Sequence, residues 1–306
     1  MGTYAFFQGQ IVPIEEAKIS IMTHAFNYGT GVFEGIRAYW NSQEKQLYVF
    51  KAEDHYRRLH DSVRVLKINL RYPVEELVHL TVQVLARSGF REDTYIRPIA
   101  YKSSAVVGVR LHNLEDDFTI FATPFGKYVD KPEGATCCVS SWRRNDDNAM
   151  PSRCKITGSY VNSALSKSEA VEDGYDEAIV LNQDGHVSEG SAENLFIVRH
   201  GSLITPPGTD NILEGITRKV LMELAQEEHG ITTVERSIDR SELYLCDECF
   251  LCGTGGEIVP VTQIDRRRVG NGRVGPITAM LQQTYYDVVR GVNKKYADWL
   301  TPVYNP

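Results

Sequence analysis

No stretch of this 306-residue sequence approaches the run of about 20 apolar residues that a membrane span requires. The opening residues Met1-Gly2-Thr3-Tyr4-Ala5-Phe6 lack the positive start and apolar stretch of a secretory signal. They also lack the Ser or Thr that a myristoylation site wants at position 6. A cytoplasmic protein is expected. Basic residues are in deficit: 33 Lys and Arg stand against 40 Asp and Glu, a formal net charge of -7, which argues against a nucleic-acid binder. Small anionic ligands remain open, because local arginines can hold an anion inside an acidic protein. Cysteine is sparse, and six in the whole chain do not make a disulfide framework. Cys246, Cys249 and Cys252 have the spacing C-x2-C-x2-C, but no fourth ligand stands nearby. Their surroundings, Leu245 to Gly253, read as a buried strand and its approach, where cysteine is a small apolar filler. The eight histidines are scattered without metal spacing. A G-x-S-x-G elbow, a Ser-His-Asp order and a G-x4-G-K-[ST] loop are all missing. These absences set aside the common hydrolase, metalloenzyme and P-loop readings.

What is present is ordinary globular material. Apolar residues make up 42% and charged residues 24%, and the length suggests about two domains. Gln46 to Phe50 reads as a strand. A helix follows from about Glu53 to Leu66, with Leu59, Val63 and Leu66 on one face. A second helix runs from Val74, just after Pro73, to Ser88, with Leu77, Leu80, Val84 and Leu85 inward and Gly89 placed as a left-handed cap. Thr94 to Tyr101 and Asp117 to Thr123 read as strands. Pro124 to Gly134 is polar, with two prolines and two glycines, and looks like a linker. Beyond it, Thr136 to Ser141, Glu177 to Leu181 and Asn194 to Val198 read as strands. Tyr160 to Asp173, closed by Gly174, reads as a helix. So does Gly215 to Gly230, with Val220, Leu221 and Leu224 inward. The expectation is a mixed α/β (α+β) chain: a small N-terminal domain over 1–122, a linker over 123–134 and a large domain over 135–306, with a cleft between the domains.

Two glycine-containing stretches bear on phosphate binding. Tyr28-Gly29-Thr30-Gly31-Val32-Phe33-Glu34-Gly35 contains G-x-G, but lacks the third glycine of a dinucleotide fingerprint and a clear preceding strand, so a nicotinamide-dependent dehydrogenase is a weak alternative. Leu213-Glu214-Gly215-Ile216-Thr217-Arg218 is better, because a glycine there opens an apolar-periodic helix whose N–H groups suit a phosphate. On this segment alone, an ordinary helix start after a Pro-Pro loop explains the pattern more simply. Gly253-Thr254-Gly255-Gly256 is a second candidate nest of N–H groups. Lysines and carboxylates are individually uninformative, and spacing does not single out Lys155 or Glu189.

Four separated segments resemble the class IV, or fold-type IV, pyridoxal-phosphate transaminases (the D-amino acid aminotransferase-like fold), in order and spacing across essentially the whole chain. They are His24-Ala25-Phe26-Asn27-Tyr28-Gly29 through Phe33-Glu34-Gly35-Ile36-Arg37; Tyr95-Ile96-Arg97-Pro98; Cys154-Lys155-Ile156-Thr157-Gly158-Ser159-Tyr160 on to Ser188-Glu189-Gly190-Ser191-Ala192-Glu193-Asn194-Leu195-Phe196; and Leu213 to Arg218 with Gly253-Thr254. The resemblance implies pyridoxal 5'-phosphate as cofactor, carried by Lys155 as a Schiff base, with the same lysine moving the substrate proton. It implies that Glu189 pairs with the pyridine nitrogen and keeps the ring an electron sink. Tyr160 would hydrogen-bond the ring oxygen. Arg58, in Tyr56-Arg57-Arg58-Leu59-His60, would hold the phosphate together with Gly215, Ile216, Thr217 and Thr254, while Arg57 reads as a surface residue.

Within this fold type the pattern resembles the branched-chain aminotransferases. These exchange amino groups between leucine, isoleucine or valine and 2-oxoglutarate or glutamate. The residues implied for substrate are Tyr28, Phe33, Gly35, Arg37, Tyr95, Arg97, Val109 and Tyr128, with the N–H groups around Thr254 and Gly255 taking the α-carboxylate. The loop Val107-Gly108-Val109 would reach the active site of the neighbouring subunit of a homodimer. Arg110 departs from the smaller or neutral residue of many relatives, and either faces solvent or widens acceptance of acidic substrates. A D-amino acid or (R)-amine transaminase of the same fold, and a catalytically silent homologue, are the alternatives.

Overall fold

The stretch Thr94–Lys102 alternates buried and part-buried side chains along most of its length, the period-two signature of a strand with one covered face. It is the axis of the first of two units into which the chain divides. The computed structural model describes residues 2–126 and 131–304. The first unit contains the chain up to Gly126, the short segment Cys154–Gly158 and the chain from Asp287 onward, and the second contains the rest.

In chain order the first unit carries β1 (Tyr4–Phe7), β2 (Gln10–Pro13), α1 (His24–Tyr28), β3 (Gly31–Phe33), β4 (Ile36–Asn41), β5 (Gln46–Phe50), α2 (Ala52–Val65), α3 (Val74–Ser88), β6 (Thr94–Lys102) and β7 (Asp116–Pro124). The strands form an antiparallel sheet in the order β5-β4-β6-β7-β1-β2, with β3 also on β6. Pro98 sits inside this sheet, where a missing N–H would normally break a ladder. Here β6 pairs with β4 through Ile96 and with β3 from Ile99 onward, so Pro98 falls at the gap between those two strands. Its carbonyl still accepts the Glu34 N–H at 3.0 Å. Helix α3 starts after Pro73, places Glu75 and Glu76 at its positive end and Arg87 in its last turn, and stops at Gly89 with φ 69°. Tyr56, Leu59 and Val63 of α2 and Leu77, Val84 and Leu85 of α3 are buried.

The second unit holds β8 (Ala135–Arg143), α4 (Tyr160–Glu172), β9 (Glu177–Leu181), β10 (Val187–Gly190), β11 (Asn194–Arg199), β12 (Ser202–Thr205), α5 (Ile216–His229), β13 (Thr233–Glu235), β14 (Glu248–Gly253), β15 (Glu257–Ile264) and β16 (Arg267–Arg268). Its sheet is mixed, in the order β10-β9-β8-β15-β14-β11-β12-β13, with β16 on β15. Strand β9 is buried along its whole length, as expected for a strand flanked on both edges and covered by α4. Cys137, Cys246 and Cys249 join the apolar core of this sheet with Ile179, Leu195 and Val261. Cys249 and Cys252 stand three apart on β14 and so point to opposite faces. Burial pushes the Cys246 thiol up to about 12 and raises Cys249 and Cys252 as well. Among the described residues, no group of three or more His, Cys, Asp or Glu side chains gathers that could hold a metal ion.

Helix α6 (Pro276–Val289) leads the chain back into the first unit, where β17 (Leu300–Pro302) pairs antiparallel with β5 as the eighth strand of that sheet. The C-terminal segment, expected with the large domain, therefore belongs with the first unit, as does Cys154–Gly158. A three-residue strand ending in proline has no periodicity of its own, and its pairing with a strand some 250 residues earlier in the chain is invisible locally. Strand β7 also runs on to Pro124, into the expected linker, because it stays paired with β6 as far as Thr94. Among the described residues, no helix is long and apolar enough to cross a membrane.

Candidate active site

The residues singled out in the sequence lie in both units. In the first unit, Cys154–Gly158 is laid along β3 like an additional short strand. Phe33 N–H donates to the Lys155 carbonyl at 2.9 Å, Gly158 N–H donates to the Gly29 carbonyl at 3.2 Å, and Val32 and Ile156 form a bridge. The Thr157 hydroxyl lies 2.8 Å from the Gly29 carbonyl and 3.1 Å from that of Gly31, and accepts the Gly31 N–H at 3.2 Å. Backbone bonds thus fix the lysine-bearing turn. The Lys155 ammonium stands 5.2 Å from the centre of the Phe33 ring, and the Arg97 guanidinium 4.3 Å from it. Two cations share one aromatic ring, an arrangement that attracts an anion beside an apolar surface.

Arg97 donates through Nε (3.2 Å) and Nη2 (2.8 Å) to Tyr95 Oη. The strand alternation that puts the two on one face therefore also bonds them to each other. Gly35 lies under that phenol, and a Cβ there would strike Tyr95 Oη, so glycine is what allows the tyrosine its position. Arg37 is buried and commits Nη2 to the carbonyls of Phe125 (3.3 Å) and Gly126 (3.0 Å) at the exit of β7. Tyr28 accepts the Gly108 N–H, and Val109 beyond it is 87% exposed. Arg110 is exposed too. Tyr128 lies outside the described residues.

Arg58 turns two nitrogens, Nε and Nη2, onto the carboxylate of Glu34, each at 2.7 Å. His55 Nδ1 donates to the same carboxylate at 2.8 Å. Burial raises the Glu34 pKa, but the charge and hydrogen bonds of Arg58, with those of His55, outweigh it and bring the group down to about 2. Burial pushes His55 the other way from its anionic partner and wins, so the imidazole pKa is lowered. The guanidinium plane of Arg58 is fixed by this grip.

In the second unit, Glu189 is a buried carboxylate on β10. Arg144 reaches its Oε1 at 2.6 Å, while Asn194 Nδ2 and the Leu213 N–H donate to Oε2, both at 3.0 Å. Asn194 also donates to the Leu213 carbonyl at 2.8 Å, which ties the turn before α5 to Glu189. Gly215 is the N-cap of α5, no side chain caps that end, and a Cβ on Gly215 would run into Asn194 Oδ1. Among the described residues no side-chain cap hydrogen bond closes the start of this 14-residue helix, whose first residues are Ile216 and Thr217. Thr254 and Gly255 occupy the tight turn between β14 and β15, and Tyr160 is the first residue of α4. A phosphate suits the uncapped helix end, and a protonated ring nitrogen suits a buried carboxylate, so the residues present fit pyridoxal 5'-phosphate.

Residues 31–264 match the sequence model for amino-transferase class IV. A probable branched-chain-amino-acid aminotransferase from Aquifex aeolicus is 53% identical over 99% of this chain and 97% of its own length. This chain belongs to the class IV amino-transferases. Among solved structures, the branched-chain aminotransferase of the archaeon Thermoproteus uzoniensis, crystallised with norvaline, superposes with a TM-score of 0.95 at 46% identity, over 99% of this chain and all of that one. The branched-chain amino acid aminotransferase of Thermobaculum terrenum in its PLP form also gives 0.95, at 39% identity over 99% of each chain.

In this class IV amino-transferase the dehydrogenase alternative falls on local geometry as well. Gly29 closes α1 and Gly31 opens β3, the reverse of the strand-to-helix turn that a dinucleotide fingerprint needs. The D-amino acid alternative is not favoured by relatives that carry the branched-chain name. Four residues of the site went unread in the sequence: Glu34, His55, Arg144 and Asn194. His55 and Arg58 stand three apart on α2 and therefore share a face, a usable signal for a common buried partner. Arg144 and Asn194 offered no comparable signal, since their partner Glu189 lies on β10, whereas Arg144 follows β8 and Asn194 opens β11.

Proposed function

We propose that the chain moves the amino group between branched-chain L-amino acids and 2-oxoglutarate, with pyridoxal 5'-phosphate bound through Lys155. When bound, the cofactor supplies an electron sink for the charge left on the substrate Cα once its proton is removed. The chain's own residues do the rest. The Lys155 amine takes that proton and returns it, from a turn that backbone hydrogen bonds hold in place. Glu189, its oxygens held by Arg144, Asn194 and the Leu213 N–H, presents a fixed negative charge to the ring nitrogen. Arg58, the start of α5 at Gly215, Ile216 and Thr217, and Thr254 are the proposed phosphate partners, and Tyr160 the partner of the ring oxygen. For substrate, Phe33, Gly35, Tyr95, Arg97 and Tyr128 would receive the side chain, with Tyr28 and Val109. Thr254 and Gly255 would take the α-carboxylate, and Arg37 would belong to the substrate-binding set of the first unit.

One observation carries the substrate reading: Phe33 offers an apolar ring while Arg97 and Lys155 both stand over it. An aliphatic side chain can use the ring, and a γ-carboxylate the arginine. The proposed working form is a cytoplasmic homodimer. Support for a covering partner comes from a groove of about 400 Å³ in the first unit lined by Ala5, Phe7, Ile19, Phe26, Ile99 and Phe121, and from the exposure of Ile21 and Met22. The test is a donor panel of leucine, isoleucine, valine, glutamate, D-alanine and an (R)-amine, each followed by bleaching of the lysine-linked cofactor band, with borohydride tagging to locate the lysine. Leucine and glutamate should both react and the tag should fall on Lys155. Faster reaction with D-alanine than with leucine, or a tag on another lysine, would sink the proposal.

A further inference from the structure

Gly108 has both of its backbone polar groups gripped by side chains of α1. Its N–H donates to Tyr28 Oη at 2.9 Å, and its carbonyl lies 2.8 Å from His24 Nε2. His24 is wholly buried, and its Nδ1 lies 2.7 Å from Thr30 Oγ1. A carbonyl only accepts, so Nε2 carries a proton and donates it to the Gly108 carbonyl. The same loop is tied to the start of α1 by the His24 N–H on the Ser104 carbonyl at 2.9 Å and by a bridge between Thr23 and Ala105. Val107 and Val109, on either side of the gripped residue, are 84% and 87% exposed. A loop settled by the hydrophobic effect alone would tuck such side chains in. This one is clamped at the residue between them, and the clamp holds both valines out.

We propose that His24 is a positioning residue for substrate specificity: through the Gly108 carbonyl it sets the 104–110 loop, and so the place at which Val109 meets the aliphatic side chain of the amino acid. This rests on the reading that Val109 touches substrate. Side-chain packing is the only contact at stake, so leucine should feel the loop more than glutamate does.

The test uses the holoenzyme with His24→Phe, His24→Asn, His24→Gln and Val109→Ala. Phe removes both ring contacts, Asn is too short to reach Gly108, and Gln can still donate to the Gly108 carbonyl. The Phe and Asn variants should raise KM for leucine roughly tenfold, about 1.4 kcal/mol, with a smaller change in kcat and in KM for glutamate, and Gln should recover most of the loss. Amide exchange in the 104–110 peptide should quicken in Phe and Asn but not in Gln, a readout independent of turnover. Should His24→Phe fail to fold, Asn against Gln carries the same comparison. If Val109→Ala leaves KM for leucine unchanged, the reading beneath the proposal fails. If Val109→Ala raises KM while Phe and Asn alter neither KM nor exchange, that reading stands and the role of His24 is overturned.

Discussion

Replacing Glu34 with Gln keeps the shape of a wholly buried side chain and removes the charge that faces Arg58 and His55. The carboxyl pKa is about 2 in the folded protein against an ordinary 4.5, a difference worth about 3 kcal/mol of folding free energy. The sign follows from a depressed folded pKa. The contribution is present in full above pH 4.5 and is lost as pH falls toward 2. A Gln amide could accept from Arg58 through one oxygen only, and its NH2 would face a guanidinium or imidazole donor. Breaking one side of a buried pair typically costs about 3–5 kcal/mol. The variant should therefore unfold at a lower denaturant concentration at pH 7, by about 3 kcal/mol or more. The gap from wild type should shrink between pH 4.5 and pH 2, where wild-type Glu34 itself becomes protonated. Loosening of Arg58 should also weaken retention of the cofactor on dilution. A gap that stays constant with pH, or one below about 1 kcal/mol at pH 7, would refute the reasoning.

Glu189→Gln removes the charge facing the ring nitrogen, and turnover should fall roughly a hundredfold while bound cofactor falls much less; stopped-flow rates with leucine check this, and an unchanged rate counts against the role. Arg97→Leu should slow the glutamate half-reaction roughly tenfold or more, and the leucine half-reaction much less, because a charged hydrogen bond is lost only for the γ-carboxylate; equal losses in single-turnover experiments would mean that Arg97 only supports Tyr95. Glu193→Gln replaces a carboxyl that burial, reinforced by Glu177, pushes up to about 8. Wild type holds a proton there that the unfolded chain releases near its ordinary 4.5, so its stability declines as pH rises through that window. The Gln variant should decline less as pH rises from about 4.5 to about 8, and parallel melting curves across that range would exclude this.

Elements with their signals in adjacent residues are legible in the sequence. Helix α3 is the clearest case: Pro73 at its start, acids in the first turn, and Gly89 at its end specify the boundaries that the structure has. The shared face of Tyr95 and Arg97 followed from strand alternation alone. The uncapped start of α5 was visible in Gly215, although nothing local separated a phosphate site from an ordinary helix start. Lys155 and Glu189 came only from resemblance. The turn that holds Lys155 is fixed by backbone bonds to residues more than a hundred positions away, and such bonds leave no mark in side-chain periodicity. The same holds for the return of β17 to β5 and for Asn194, whose two contacts lie on separate segments.

The short break between β3 and β4 explains why so much of the first unit's chemistry is packed into consecutive residues. In an unbroken strand Phe33 and Gly35 would share one face and Glu34 the other, each facing the strand's regular neighbours. Here the ladder stops at Phe33 and resumes at Ile36, and each residue serves a different partner. Phe33 gives its N–H to Lys155 and its ring to the Lys155 and Arg97 cations. Glu34 turns its carboxylate to Arg58 and His55, and Gly35 leaves room for Tyr95. A break in a central sheet would ordinarily strand a backbone donor on the facing strand. The residue facing it is Pro98, which has no N–H to strand and whose carbonyl is taken up by Glu34. The proline on β6 and the interruption opposite it are therefore one arrangement: the interruption frees three successive residues for separate tasks, and the proline spares the sheet the hydrogen bond that the interruption would otherwise remove.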